Sequence, residues 1–348
     1  MAPPATFLRR SRGSVIVVIL ALITLAAFLL ARFIERSMTE LLVESRARQG
    51  ERLRADAHSA LEATLAVLAD YQALDNGLRS PAQGWGEPLH ELELPTRAGT
   101  TVAVRIQDES GRPSLPRLEA PALAALGRQL GLKEEKAASL ADALLAWTRP
   151  EHRPARYETD PRQYEFEDPP HRPPARPLES FDELAAIAVA RELFYTPHGQ
   201  PAELRGRFVE SVSLQDFPAV NLNTAGPDTL ALAGLDAPQV EKIRDFNAGK
   251  TPRAPGAPPY FRSVAEARAL LGAAAPLTGF DTLARCLRIE VTVQEGPVSF
   301  QLAAVVSPVV APPDQPAAPT PAAGENLQYP FTLLALEENM QLAPPPVL

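Results

Sequence analysis

Cysteine is almost absent: Cys286 is the only one in 348 residues. An intramolecular disulfide is therefore excluded, although an exported domain could use one, and so is a cysteine-based zinc site. Within Leu283-Ala-Arg-Cys-Leu-Arg-Ile, Cys286 reads as a small buried apolar residue. An excess of positive charge is missing too. The formal net charge is −8, which argues against the basic footprint of a nucleic-acid binder. Five histidines, at 58, 90, 152, 171 and 198, show no His-Glu-x-x-His spacing. Neither a Gly-x-Ser-x-Gly elbow nor a Walker A loop occurs. His152 and His171 lie in a proline-rich stretch and read as solvated. These absences point away from an enzyme.

Proline, in contrast, is plentiful: 37 of 348 residues, about twice the usual ~5%. Turns and extended linkers are expected in a chain otherwise rich in Ala and Leu. The other abundant feature is an apolar run. No charged side chain stands between Arg12 and Arg32. At about 1.5 Å per residue, that run is long enough to cross a hydrocarbon core of ~30 Å. Arg9, Arg10 and Arg12 precede it with no acidic residue, so the positive-inside rule keeps the N-terminus in the cytoplasm and exports the rest. A cleaved signal peptide is the competing reading. The run is long for one, continues into Glu35-Arg36-Ser37-Met38, and is followed by no Ala-x-Ala site.

Beyond the membrane, Ile34, Met38, Leu41, Leu42, Leu53, Ala57, Leu61, Leu65 and Leu68 recur at helical spacing. The helix is expected to weaken at Gly50 and to end at Asp75-Asn76-Gly77. Leu92-Glu-Leu and the alternating Thr100 to Ile106 read as strands, and Asp108-Glu-Ser-Gly111 as a turn. A helical block follows. Its helices are expected over 121–130 and 132–147, from the capping box Ser180-Phe-Asp-Glu183 through Leu184, Ile187 and Leu193, from Thr224 through Leu230, over 238–246, and from Ser263 to Leu271. Residues 149–179 are proline-rich and charged, so extended or turn-rich. Strands return over 287–293 and 298–306, separated by a Glu295-Gly-Pro turn. A last strand is expected over 327–336.

The fold class is thus α+β: an N-terminal transmembrane helix continues into an α/β domain that carries a large inserted helical domain. The boundaries are a leader at 1–13, the membrane helix at 14–34, and the long helix with first strands at 35–117. The inserted domain spans 118–280, the returning strands 281–306, a Pro/Ala linker 307–326, and a strand with tail 327–348. Trp147, Phe181, Leu184 and Leu230 are expected to form one inserted core.

Several segments together resemble the GspK family, minor pseudopilins of type II secretion. They are Arg12-Gly13 before the apolar helix, Val102-Ala-Val-Arg-Ile-Gln-Asp-Glu-Ser-Gly111, Leu140-Ala-Asp-Ala-Leu-Leu-Ala-Trp147, Pro169-Pro, and Asn221-Leu-Asn-Thr-Ala225 before Gly234-Leu235. The resemblance implies a pilin-like domain and prepilin peptidase cleavage after Gly13, leaving Ser14 first. It also implies a place at the tip of a periplasmic pseudopilus, anchored in the inner membrane beside GspI- and GspJ-like subunits. There the chain would initiate the filament and aid export of folded proteins. The fifth mature position, Val18, lacks the glutamate of other pilins, as GspK proteins do. A carboxylate in hydrocarbon costs several kcal/mol unless paired, and a tip subunit has no neighbour above it.

Two ligand classes are weighed. Many GspK proteins bind calcium in an acidic loop after the tryptophan. Here Arg149 and Pro150 stand in that place, leaving Glu158, Asp160, Glu165, Glu167 and Asp168 as candidate oxygens among arginines; the alternative is a solvated charged loop. Residues 221–246 resemble a helix–hairpin–helix, which docks a DNA phosphate on helix N–H groups, with Gly234 and Leu235 at its turn. Asp236 beside them would repel a phosphate, so packing is the favoured role and no nucleic-acid partner is expected. The alternative function is a membrane-anchored hairpin protein that binds DNA in the envelope.

Overall fold

The computed structural model describes residues 14–90, 97–156, 159–253, 256–308 and 330–342. Its spine is α1, Ser14–Asp75, 62 residues long and so about 93 Å in length. Up to Val43 its large apolar side chains stand bare. Beyond Gly50 one stripe, Leu53, Ala57, Ala60, Leu61 and Leu68, is buried. Burying each leucine is worth about 1.5–3 kcal/mol.

That stripe lies on an antiparallel sheet ordered β1-β4-β5-β6. Its strands are β1 (Thr100–Asp108), β4 (Leu287–Glu295), β5 (Val298–Pro308) and β6 (Phe331–Leu342). The clean alternation in β4 turns Leu287, Ile289, Val291 and Val293 inward against α1. β1 meets β4 with Thr100 opposite Glu295 and Asp108 opposite Leu287. The β4–β5 hairpin closes at Gly296, whose φ of +59° suits glycine.

Between β1 and β4 the chain forms α2 (Ala120–Gln129), α3 (Glu134–Thr148), α4 (Ala188–Phe194) and α5 (Glu203–Ser211). After them come α6 (Pro227–Leu232), α7 (Ala237–Asn247) and α8 (Val264–Leu271). The short strands β2 (Val220–Asn221) and β3 (Phe280–Asp281) pair in parallel and clasp the base of α6–α8.

Several expectations are corrected. Gly50 does not weaken α1, which runs through it; a Cβ there would come within 2.8 Å of Met340 Sδ, so glycine admits β6 close to the helix. The helix expected from Ser180 is two pieces, a 3₁₀ turn at Phe181–Ala186 and then α4. Ile187 between them is extended and fully buried, and the Tyr164 hydroxyl accepts from Ala188 N–H. α5 was not foreseen. Its Phe208 is buried, but its other apolar positions are too few to mark a face. Thr224 is not an N-cap; Gly226 is, with Pro227 at the first turn. The last strand is β6 rather than 327–336, because Glu337 and Glu338 continue it instead of ending it. The single inserted core is two. Trp147 and Leu184, with Phe181 packed alongside, share one cluster, whereas Leu230 belongs to another with Leu222, Ile243 and Phe261. Leu92-Glu-Leu, the leader and nearly all of the Pro/Ala linker lie outside the described residues.

Candidate functional site

Two features set this molecule apart: a bare apolar helix and the junction that carries the inserted body. In α1 an 18-residue window reaches a mean hydropathy of 2.7 with none of it buried, making it long and apolar enough to cross a membrane. Gly13 lies outside the described residues. Ser14 opens the helix. Val18 stands 57% exposed on its bare face.

At the junction, Asp108 ends β1 and is buried. Its Oδ1 accepts from Ser110 N–H at 2.9 Å and Ser110 Oγ at 2.5 Å. Its Oδ2 accepts from Asn221 Nδ2 at 2.7 Å and Thr224 Oγ1 at 2.6 Å. Burial pushes the carboxyl pKa up, and the hydrogen bonds from Ser110, Thr224 and Asn221 only partly offset it. Asn221 Nδ2 also donates to the Arg79 carbonyl just after α1. One carboxylate thus joins the sheet, the end of the long helix and the second lobe. The first lobe is tied by the next residue. Buried Glu109 accepts from Arg112 at 2.8 Å and Arg288 at 2.9 Å, and Arg112 reaches the Val209 carbonyl of α5 at 3.3 Å. Gly111 sits between them; a Cβ there would come within 2.8 Å of Thr224 O. The expected turn at Asp108 and Gly111 is present, but its partners more than a hundred residues away were not legible.

A cleft of about 790 Å³ opens beside this hub, bordered by Gln107, Arg112, Leu126, Thr224 and Asn247. Among the described residues its lining includes neither histidine nor cysteine. Cys286 is 1% exposed, and burial pushes its thiol pKa up, keeping it inert.

The proline-rich stretch is fastened to α3. Asp142 Oδ1 lies 2.7 Å from His152 Nε2, and its Oδ2 accepts from Ala155 N–H at 2.9 Å and Thr159 Oγ1 at 2.5 Å. Burial alone would raise the Asp142 pKa, but bonds from Thr159, His152 and Ala155 outweigh it and hold it below the usual carboxylate value. His152 is thus bonded rather than merely solvated. His171 packs on Trp147 and Tyr164 at ring-centroid distances of 6.0 and 5.0 Å, a structural place that sequence reading missed.

The candidate calcium ligands do not converge. Asp160 faces Arg162, Glu165 faces Arg172 and Glu167 faces Arg191. Glu158 lies outside the described residues, and Asp168 is exposed. Among the described residues no three His, Cys, Asp or Glu side chains group as a metal needs. The DNA reading fares no better. Gly234 takes φ of +91° to close the hairpin, and Leu235 is buried. Asp236 caps α7 by accepting from Gln239 N–H at 2.8 Å, so the N-terminus that would hold a phosphate carries a carboxylate.

A last contact was not foreseen. Glu338 of β6 accepts from Arg54 Nε at 2.7 Å and lies 2.8 Å from His58 Nε2, fastening the edge strand to α1. Those bonds, from Arg54 first and His58 next, hold its pKa down to about 2.

Comparisons with known proteins follow the same lines. Residues 103–196, from β1 past α4, match the family described as type II secretion system, protein K. The fold is shared with the crystal structure of the GspK-GspI-GspJ complex from the enterotoxigenic Escherichia coli type 2 secretion system. The likeness has a TM-score of 0.54 at 14% identity and covers 85% of this chain and 98% of that chain. No curated protein matches. The matched family segment and the shared fold both agree with the resemblance carried by the sequence.

Proposed function

We propose that this GspK-like chain is a minor pseudopilin that sits at the tip of a type II secretion pseudopilus, starts its assembly and so aids export of folded proteins across the outer membrane. One observation carries the reading. A single helix of 62 residues is bare and apolar in its first part. In its second part it is packed on an antiparallel sheet, and a helical body is inserted between two strands of that sheet.

The role is structural. The bare part of α1 anchors the chain in the inner membrane, with Arg9, Arg10 and Arg12 on the cytoplasmic side and the sheet and lobes in the periplasm. Prepilin peptidase cuts after Gly13 and leaves Ser14 first. A subunit within the filament needs a surface above it that accepts the next subunit. The bulky insert and the apolar Val18 suit a subunit with nothing above it. The similar structure is a complex of GspK with GspI and GspJ, and subunits of those two kinds are the partners of this chain.

Deleting this chain from a cell that secretes through the system should stop pseudopilus growth and leave folded cargo in the periplasm, and a plasmid copy should restore both. Wild-type filaments and secretion in the deletion strain would overturn the reading.

A further inference from the structure

We propose that the outer edge of β6 is a docking surface that takes an extended strand from a different subunit anchored in the same membrane. The inference rests on the pseudopilin reading and adds the surface, the mode of contact and the chemistry of the partner.

β6 is last in the sheet order and 12 residues long. Among the described residues nothing pairs with its outer edge, so a row of backbone N–H and C=O groups is available. Long free edges are hazards that proteins usually guard with lysine, proline or inward-pointing charge. Phe331–Leu342 contains no lysine, arginine or proline. Instead it displays Leu333 at 54% exposure, Leu334 at 45%, Leu336 at 41% and Met340 at 47%. Outside α1, only Phe166 joins them as a large exposed apolar side chain among the described residues. Leu333, Leu336 and Met340 stand opposite Val306, Ala304 and Phe300, the residues of β5 that face α1. They form an apolar shelf beside the helix, in contact with it at Gly50. Across the bulge beside Val305 and Val306, and apart from Glu338, which is turned to Arg54 and His58, this edge presents apolar side chains and free backbone groups, the form that strand addition uses.

Charge decides what kind of strand fits. The charged residues of β6 are Glu337 and Glu338, and Glu338 is held by Arg54 and His58. A second copy of this chain, paired antiparallel with Phe331 opposite Leu342, would set Glu337 opposite Leu336 and Glu338 opposite Ala335. The carboxylates of both copies would then crowd the two-fold axis, which is destabilising. A second copy is disfavoured in that full-length register, and the occupant proposed is a different chain, with apolar residues alternating and a lysine or arginine near Glu337. Height decides where that chain is anchored. β6 meets α1 at Gly50, about 24 Å of helix beyond Ile34. A partner held at that height over the same membrane carries its own membrane helix and a head beside this one.

The test uses the full chain in detergent, titrated with full-length GspI-like and GspJ-like subunits from the same cell. One of them should bind, and Leu333→Lys with Leu336→Lys should weaken that binding about tenfold or more. Phe166→Lys should leave it unchanged. Both leucines are more than 40% exposed, so unchanged melting of the double variant will show that the fold survives. Cys286 is buried, so Leu334→Cys gives one reactive thiol for disulfide trapping against a cysteine scan of the partner's edge strand. A mixed disulfide supports the proposal. Undiminished binding by the lysine variant overturns it, as does a disulfide between two copies of this chain. N-terminal mass is read on the same sample. A mature N-terminus at Ser14 with no partner binding overturns the docking surface alone, whereas an uncut Met1 overturns the pseudopilin reading and this proposal with it.

Discussion

Asp108→Ala should unseat the inserted body. In the wild type this carboxylate accepts four hydrogen bonds between 2.5 and 2.9 Å, from Ser110 N–H, Ser110 Oγ, Asn221 Nδ2 and Thr224 Oγ1. Alanine removes the acceptor and leaves the donors. Asn221 keeps the Arg79 carbonyl, but Thr224 Oγ1 loses the acceptor shown for it in a half-buried place. Each bond to a charged group is worth about 1.5–3 kcal/mol net, and an orphaned buried donor costs about 1–3 kcal/mol. Burial of the carboxylate opposes these gains, as its raised pKa indicates. The expected net loss is about 3–5 kcal/mol, the range seen when a buried pair is broken from one side. Melting should fall by on the order of 10 °C. Limited proteolysis should cut first between residues 211 and 227, where the second lobe leaves the junction. Asp108→Asn keeps the shape but turns an amide N–H₂ toward donors, so it should fall between alanine and wild type. Melting of Asp108→Ala within about 1 °C of wild type, with an unchanged proteolytic pattern, would refute the assignment of this residue as the hub.

Gly111→Ala puts a Cβ within 2.8 Å of the Thr224 carbonyl oxygen, so it should destabilise by about 1–3 kcal/mol in chemical denaturation. Asp142 has a lowered pKa in the folded state, so its contribution is present above the ordinary value of 3.8 and is lost as pH falls through the lowered one. Wild type should therefore lose stability relative to Asp142→Asn as pH drops below 3.8, read by melting at stepped pH. Asp108 has the opposite sign, its raised pKa favouring the folded state on acidification, so the difference between the two proteins isolates Asp142. Glu338→Gln frees Arg54 and His58 and should speed amide hydrogen exchange across β6 while leaving the melting temperature close to wild type, because the pair is exposed.

The elements that were legible in sequence are those whose pattern is local. β4 alternates and is joined to the apolar run of β5 through Gly296, and α1 shows its buried stripe at spacings of three and four. The capping residues Ser180 and Ser263 are used as caps. Asp236, read only as a carboxylate that repels phosphate, also caps α7 and so closes the helix end that a phosphate would need. What failed was non-local. Gly50 read as a weak point because its reason, the approach of Met340, lies almost three hundred residues away. Thr224 read as a cap because its hydroxyl bonds a carboxylate that precedes it by more than a hundred residues. β6 was ended early at Glu337 because the neutralising Arg54 and His58 belong to α1. Three of the acidic residues after the tryptophan, Asp160, Glu165 and Glu167, lie beside arginines that the sequence showed only as neighbours in a charged loop. The Asn221-x-Asn223-Thr224 run was the one sequence signal at the junction: polar residues packed among apolar ones are costly unless bonded, and here they are.

The central claim is that α1 is the membrane helix of a processed pseudopilin, and the mature N-terminus tests it most directly. N-terminal mass spectrometry of the protein recovered from membranes should find Ser14 first, and Met1 should persist when prepilin peptidase is deleted or in the Gly13→Ala variant. An intact Met1 in the presence of the peptidase, or cleavage beyond the apolar run, would contradict the account.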